Sequence, residues 1–348
     1  MKSTRIFKKS FFLLPTFGIL NILSLNSNAS TKTELPKICL VLDKGGKDDK
    51  SFNQSAYDGF IRAQKELKIS KESKYVTVTN DAQSQNFIRS FSNGECGLVI
   101  AVGFNNADSV GKVAKKYPNQ KYALVDSTID EPNIRSISFQ EHEGSFLVGA
   151  IAAMKSKSGN VGFIGGMEIP LIKRFGLGFE AGAKYINPKI KVTETFVGIT
   201  SAAWNNPTKA KEIALSMYTQ GTDVIFVAAG ASSQGAFDAV EEANRKFSNK
   251  FIIGVDSNQN YIAPGLVLTS MEKKVNLKVF TAIKDFVDNK FTTGVIKYGF
   301  ADGGIDWSYD NFNKKLFKDS EIKEINRIKK DINDNKIIVP DFYKTSKN

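Results

Sequence analysis

At 348 residues the chain is long enough for two domains of ordinary size. Hydrophobic residues make up 41% and glycines number 27, which suits a globular α/β protein with many turns. A single histidine and two cysteines leave no material for a histidine cluster or a cysteine-rich metal site, and no nucleic-acid module is recognisable behind the net charge of +12. That charge reads as a lysine-rich surface, with attraction to anionic lipid, polysaccharide or nucleic acid as the sharper alternative.

The N-terminus carries Lys2, Arg5, Lys8 and Lys9 ahead of an apolar run from Phe11 to Leu25, and it closes on Ser27-Asn28-Ala29. This pattern predicts a signal peptide over 1–29. As a membrane anchor the run is too short, and Pro15, Asn21 and Asn26 interrupt it. The mature chain is therefore expected outside the cytoplasm, in the periplasm, associated with the periplasmic side of the inner membrane. No cysteine follows the apolar run, so lipid attachment of the bacterial lipoprotein type is not expected. Cys39, in a strand, and Cys96, in a turn, leave a disulfide open.

A buried strand is predicted from Ile38, ending on Asp43 and Gly45-Gly46. A polar turn follows, and Ser51 stands at the N-cap of an amphipathic helix running to Leu67. Then come strand Tyr75 to Thr79, helix Asp81 to Phe91, strand Gly97 to Val102, helix Asn106 to Tyr117 and strand Tyr122 to Val125. Strand Ile134 to Phe139 and a long helix from Gln140 to Lys155 come next. The alternation restarts with strand Val161 to Ile164, helix Leu171 to Tyr185, strand Ile190 to Val197 and helix Pro207 to Thr219. Strand Asp223 to Val227, helix Gln234 to Phe247 and strand Phe251 to Val255 complete the second series. Leu266 to Thr269, a helix from Val275 to Asn289, a strand near Val295 to Tyr298 and a charged helix of about Ser320 to Asp334 form the tail. Two such series predict two lobes, each a doubly wound and mostly parallel sheet.

Several predicted strands end on aspartate or glycine: Asp43, Gly103, Asp126, Gly230 and Asp256. In open α/β sheets ligands bind at these carboxyl ends. Carboxylates there suit a ligand with hydroxyl or ring N–H donors, and Phe52 and Phe226 flank two of the ends as aromatic faces. Neither Gly45-Gly46 nor Gly165-Gly166 has phosphate-loop spacing. His142 lies at a helix start between Glu141 and Glu143, as a solvated or lobe-boundary residue. No catalytic constellation is visible.

The stretch Val41-Leu42-Asp43 with Gly46-Lys47-Asp48-Asp49-Lys50-Ser51-Phe52-Asn53-Gln54 is similar to the opening signature of the basic membrane protein family, which includes purine nucleoside receptor lipoproteins. The stretches Phe139 to Gly149, Val161 to Gly166, Ile253 to Ser257 and Leu268 to Lys273 agree in order. The resemblance covers nearly all of the mature chain. It implies a type I periplasmic-binding-protein fold of two α/β lobes closing on a ligand. The lobes are expected at 36–140 plus 257–292 and at 141–256 plus 293–348. It also implies a monomer, without cofactor or metal, that hands inosine, guanosine or adenosine to an ABC permease of the inner membrane. Carried over by motif, Phe52 and Phe226 would sandwich the purine. Asp43 and Asp126 would read its edge, with Ser51 and Asn53 beside them. Gly230 would offer backbone, and Asp256 and Lys273 would hold the ribose hydroxyls. Asn258 stands where a second aspartate is expected, a change that would retune a sugar or loop contact. Two other readings stay open: an envelope protein binding host or matrix polyanions, and a sugar or signal receptor of the same fold. An enzyme is the least expected.

Overall fold

Residues 6–10 and 34–345 are described by the computed structural model. The expected signal peptide lies outside the described residues apart from 6–10. Leu35–Asn348 forms one compact unit.

The chain first builds β1 (Ile38–Leu42), α1 (Phe52–Glu66), β2 (Lys74–Thr77), α2 (Asp81–Ser90), β3 (Leu98–Val102), α3 (Ala107–Ala114), β4 (Lys121–Val125) and β5 (Ile134–Phe139). It then crosses into a second series. This comprises α4 (Glu141–Lys155), β6 (Asn160–Met167), α5 (Pro170–Ile186), β7 (Lys191–Gly198), α6 (Pro207–Thr219), β8 (Val224–Ala228), α7 (Ser233–Lys246), β9 (Phe251–Asp256) and β10 (Val267–Lys273). A second crossing leads to α8 (Val275–Val287) and β11 (Gly294–Tyr298). A third leads to β12 (Ile305–Trp307), α9 (Asp319–Asn333) and α10 (Phe342–Thr345).

Two six-stranded sheets result, in the orders β11-β5-β4-β3-β1-β2 and β12-β10-β9-β8-β6-β7. Among the described residues every pairing is parallel except β10 with β12. Continuous apolar runs make this possible, because a parallel sheet is covered on both faces. Along β1 the side chains alternate: Ile38, Leu40 and Leu42 enter one core cluster, Cys39 and Val41 another. Cys39 is joined to Cys96 by a disulfide, with Cα atoms 5.9 Å apart. Among the described residues no helix is long and apolar enough to cross a membrane.

The lobe boundaries differ from those expected. β10 pairs with β9 in the second sheet, so 257–273 does not join the first lobe. β11 pairs with β5 in the first sheet, so the strand at 294–298 does not belong to the second. α8 packs on α1 so tightly that a Cβ at Gly59 would collide with the Asn276 carbonyl. An apolar run carries no label for which of two similar sheets it joins; partner and register decide that. α4 and α5 also meet closely: side chains at Gly149, Gly178 or Gly182 would strike the backbone of the facing helix.

Candidate functional site

The carboxyl ends of the two sheets face a shared cavity, partly open to solvent. Ligand clefts of this fold class lie at such ends.

The first-lobe wall is built by the loop from Asp43 to Asn53. Asp49, and not Ser51, caps α1: its carboxylate accepts from the backbone N–H groups of Ser51 (2.9 Å), Asn53 (2.9 Å) and Gln54 (3.0 Å). It also accepts from Asn53 Nδ2 at 2.9 Å. Asn53 is thereby turned so that its Oδ1 accepts from the backbone N–H of Asp43 at 2.8 Å. Asp43 accepts in turn from the Lys44 N–H and from Asn105 Nδ2 at 2.8 and 2.7 Å. Burial holds its carboxyl above the usual carboxylate range despite those bonds.

Freed from capping, Ser51 donates through Oγ to Asp256 Oδ2 in the second lobe at 2.6 Å. Gln259 Nε2 donates to the Lys50 carbonyl at 2.8 Å, and Lys44 Nζ to Ser201 Oγ at 2.5 Å. These bonds join the lobes and describe a closed arrangement.

Asp126 and Asp256 both occupy the left-handed backbone region, with φ of 66° and 65°. Such conformations are uncommon for residues with a Cβ and collect at functional sites. Between the two carboxylates lies the Lys273 ammonium, 2.5 Å from Asp126 and 3.6 Å from Asp256. Phe52, Phe139 and Phe175 surround it, with ring centroids at 4.7, 5.5 and 5.5 Å. Burial pushes the Asp126 carboxyl upward against the pull of Lys273. Burial also opposes the Lys273 charge, but Asp126 and Asp256 outweigh it and hold the proton on the ammonium. Asp126 Oδ1 is buried with no hydrogen-bond partner among the described residues, and so is Trp204 Nε1. Both residues line the cavity. Buried polar atoms are rarely left unpaired, which makes this acceptor and this donor candidate contacts for a solute. The Trp204 ring seats against Gly166, where a Cβ would collide with it.

With Asp43, Asp49, Asp126 and Asp256 against Lys273, the lining is acidic and rich in acceptors. It favours a ligand that donates hydrogen bonds and disfavours an anion. Its apolar side comes from Phe52 and Phe104 in the first lobe and Ile172, Phe175 and Trp204 in the second.

Residues 37–342 match the family model described as Bmp, ABC transporter substrate-binding protein PnrA-like. The chain belongs to this family. Basic membrane protein A1 of Borrelia garinii subsp. bavariensis is 34% identical over 338 residues, covering 94% of this chain and 95% of that protein. The ABC transporter nucleoside-binding protein BmpA of Lactococcus lactis subsp. cremoris is 33% identical over 336 residues, covering 90% and 91%. Among solved structures, an ABC transporter solute-binding protein from Aeropyrum pernix K1 superposes with a TM-score of 0.79 at 29% identity, covering 88% of this chain and 94% of that one.

Within this Bmp-family chain, Asp43, Phe52, Asn53, Asp126, Gly230, Asp256 and Lys273 come together on the one cavity. Ser51 does not line it and acts as the bridge to Asp256. Phe226 is a correction: it lies mid-strand in β8, fully buried, with its ring 5.5 Å from those of Phe163 and Phe179. Ala228, two residues on and on the same face, is the β8 side chain that reaches the cavity. Asn258 donates to Asp310 Oδ2 at 2.7 Å and is absent from the lining. His142 is at the lobe boundary as expected but is not solvated: burial, then the Arg174 charge, push its pKa down to about 3. Sequence reasoning missed Asp49, Asn105, Phe175 and Trp204. The strand-end rule applied to β7 finds Trp204, a lone ring in the polar loop that follows.

Proposed function

We propose that this protein is an exported, periplasmic solute-binding protein that captures purine nucleosides and delivers them to an ABC permease, working as a monomer by closure of the lobes. The observation that carries this reading is the pairing of aromatic faces with a buried Asp126–Lys273–Asp256 set that still has an unpaired acceptor. A flat base suits the rings from the facing lobes. Vicinal ribose hydroxyls both donate and accept, and so suit a carboxylate beside an ammonium. Asp43, held by Asn53 and Asn105, is the acceptor for a base N–H. The nucleoside-binding name of the Lactococcus lactis relative points the same way. The Cys39–Cys96 disulfide suits an oxidising compartment outside the cytoplasm. No reaction is assigned: the arrangement binds and releases.

Calorimetric titration of the purified protein with inosine, guanosine, adenosine and ribose tests it. Saturable binding of at least one nucleoside, tighter than ribose, is expected. Binding of ribose without any nucleoside would overturn the purine reading.

A further inference from the structure

Arg174 on α5 is a buried cation outside the cavity lining. Its Nη1 donates to the Phe139 carbonyl at 2.7 Å and also meets Glu141. Its Nε and Nη2 donate to the two oxygens of Asp341 at 2.8 and 3.1 Å, a forked pair from the C-terminal tail. The Tyr343 ring lies 5.0 Å from the guanidinium carbon. Phe139 is the last residue of β5, where the chain leaves the first lobe, while α5 belongs to the second. The arginine therefore ties tail, crossing point and second lobe together.

The same geometry reaches the cavity. Phe175 follows Arg174 on α5, and Phe139 is the residue whose carbonyl Arg174 holds. Both rings stand 5.5 Å from Lys273 Nζ. Lys273 is the one cationic side chain lining the cavity among the described residues. A guanidinium that loses Asp341 stays buried with two donors unpaired and must shift to recover them.

We propose that Asp341, Tyr343 and Arg174 form a clasp that positions Phe139 and Phe175 around Lys273 and biases the two lobes toward the closed arrangement. Arg174 and Asp341 are positioning residues: neither lines the cavity. The affinity arm of the test rests on the nucleoside reading, and the distance arm does not.

Three variants isolate the clasp. Asp341→Asn keeps the shape and removes the charge, Asp341→Glu keeps the charge, and a chain ending at Pro340 lacks the tail. Spin labels on Lys65→Cys in α1 and Glu241→Cys in α7, both exposed positions, report the separation of the lobes without ligand. Asp341→Asn and the shortened chain are expected to broaden that distribution toward longer distances, and Asp341→Glu to keep the native one. In inosine titrations the first two are expected to bind about tenfold more weakly, about 1.4 kcal/mol, with Asp341→Glu near the native value. Native distances in all three variants would overturn the clasp. So would a lower melting temperature for Asp341→Asn with distances and affinity unchanged, which is what a merely structural ion pair gives. If the native protein fails to bind inosine, the nucleoside reading falls, and the distances alone decide the clasp.

Discussion

The hydroxyl of Ser51 donates to Asp256 Oδ2 at 2.6 Å, joining the loop that opens the first lobe to the last residue of β9 in the second. Ser51 is available for this because Asp49 takes over the capping of α1. One substitution, aspartate doing serine's work, turns a helix start into a bond across the cleft.

Ser51→Ala removes that bond and deprives Asp256 of a donor. A hydrogen bond to a charged group is worth about 1.5–3 kcal/mol, so affinity for the captured solute is expected to fall about tenfold or more. The loss should appear mainly as faster release, because interface changes act chiefly on dissociation. Stopped-flow measurement of dissociation checks it, and an unchanged rate would remove Ser51 from closure.

Rings inside and outside the cavity should separate cleanly. Phe52→Ala and Trp204→Ala are expected to weaken binding with modest effects on unfolding. Phe226→Ala opens a hole behind Phe163 and Phe179 and should cost about 3–5 kcal/mol of stability. Urea unfolding beside titration checks the contrast, and loss of binding without loss of stability for Phe226→Ala would return it to the site.

Two groups near the first crossing give stability a pH dependence of opposite signs. For His142, with its pKa lowered from 6.5 to about 3 chiefly by burial, the unfolded chain takes up a proton that the folded chain resists. Its contribution is complete above pH 6.5 and is lost as pH falls toward 3, at up to about 1.4 kcal/mol per pH unit. Burial raises the Glu143 carboxyl from 4.5 to about 7. Its contribution is therefore complete below pH 4.5 and is lost as pH rises toward 7. Unfolding curves across the acid range should show His142→Gln flattening the loss on acidification and Glu143→Gln flattening the loss on neutralisation.

The disulfide between Cys39 and Cys96 spans 57 residues of sequence in the first lobe. Closing a loop of that length stabilises by about 4 kcal/mol in the chain-entropy picture. The double replacement Cys39→Ser, Cys96→Ser should lower the melting temperature in calorimetry while preserving solute binding in the cold.

Strand and helix order was legible because apolar runs alternating with amphipathic segments admit only a parallel sheet covered on both faces. Strand-end aspartates led to Asp43, Asp126 and Asp256, since topology alone brings such ends together. Phe226 misled for a reason of period: in a fully buried strand every residue is apolar, and only depth separates Phe226 from Ala228. Asp49 was hidden because an N-cap serine is chemically sufficient, and nothing in the sequence says that its hydroxyl is wanted elsewhere. The placement of β10 and β11 was illegible because two sheets of like composition compete for each strand.

The most direct measurement is a crystal structure of the protein grown with inosine. The expected result has the base against Phe52 and the second-lobe rings, a ligand donor on Asp126 Oδ1, and the ribose hydroxyls at Asp256 and Lys273. A cavity left empty under saturating inosine, or a base lying away from Phe52 with Asp126 Oδ1 still unpaired, would contradict it.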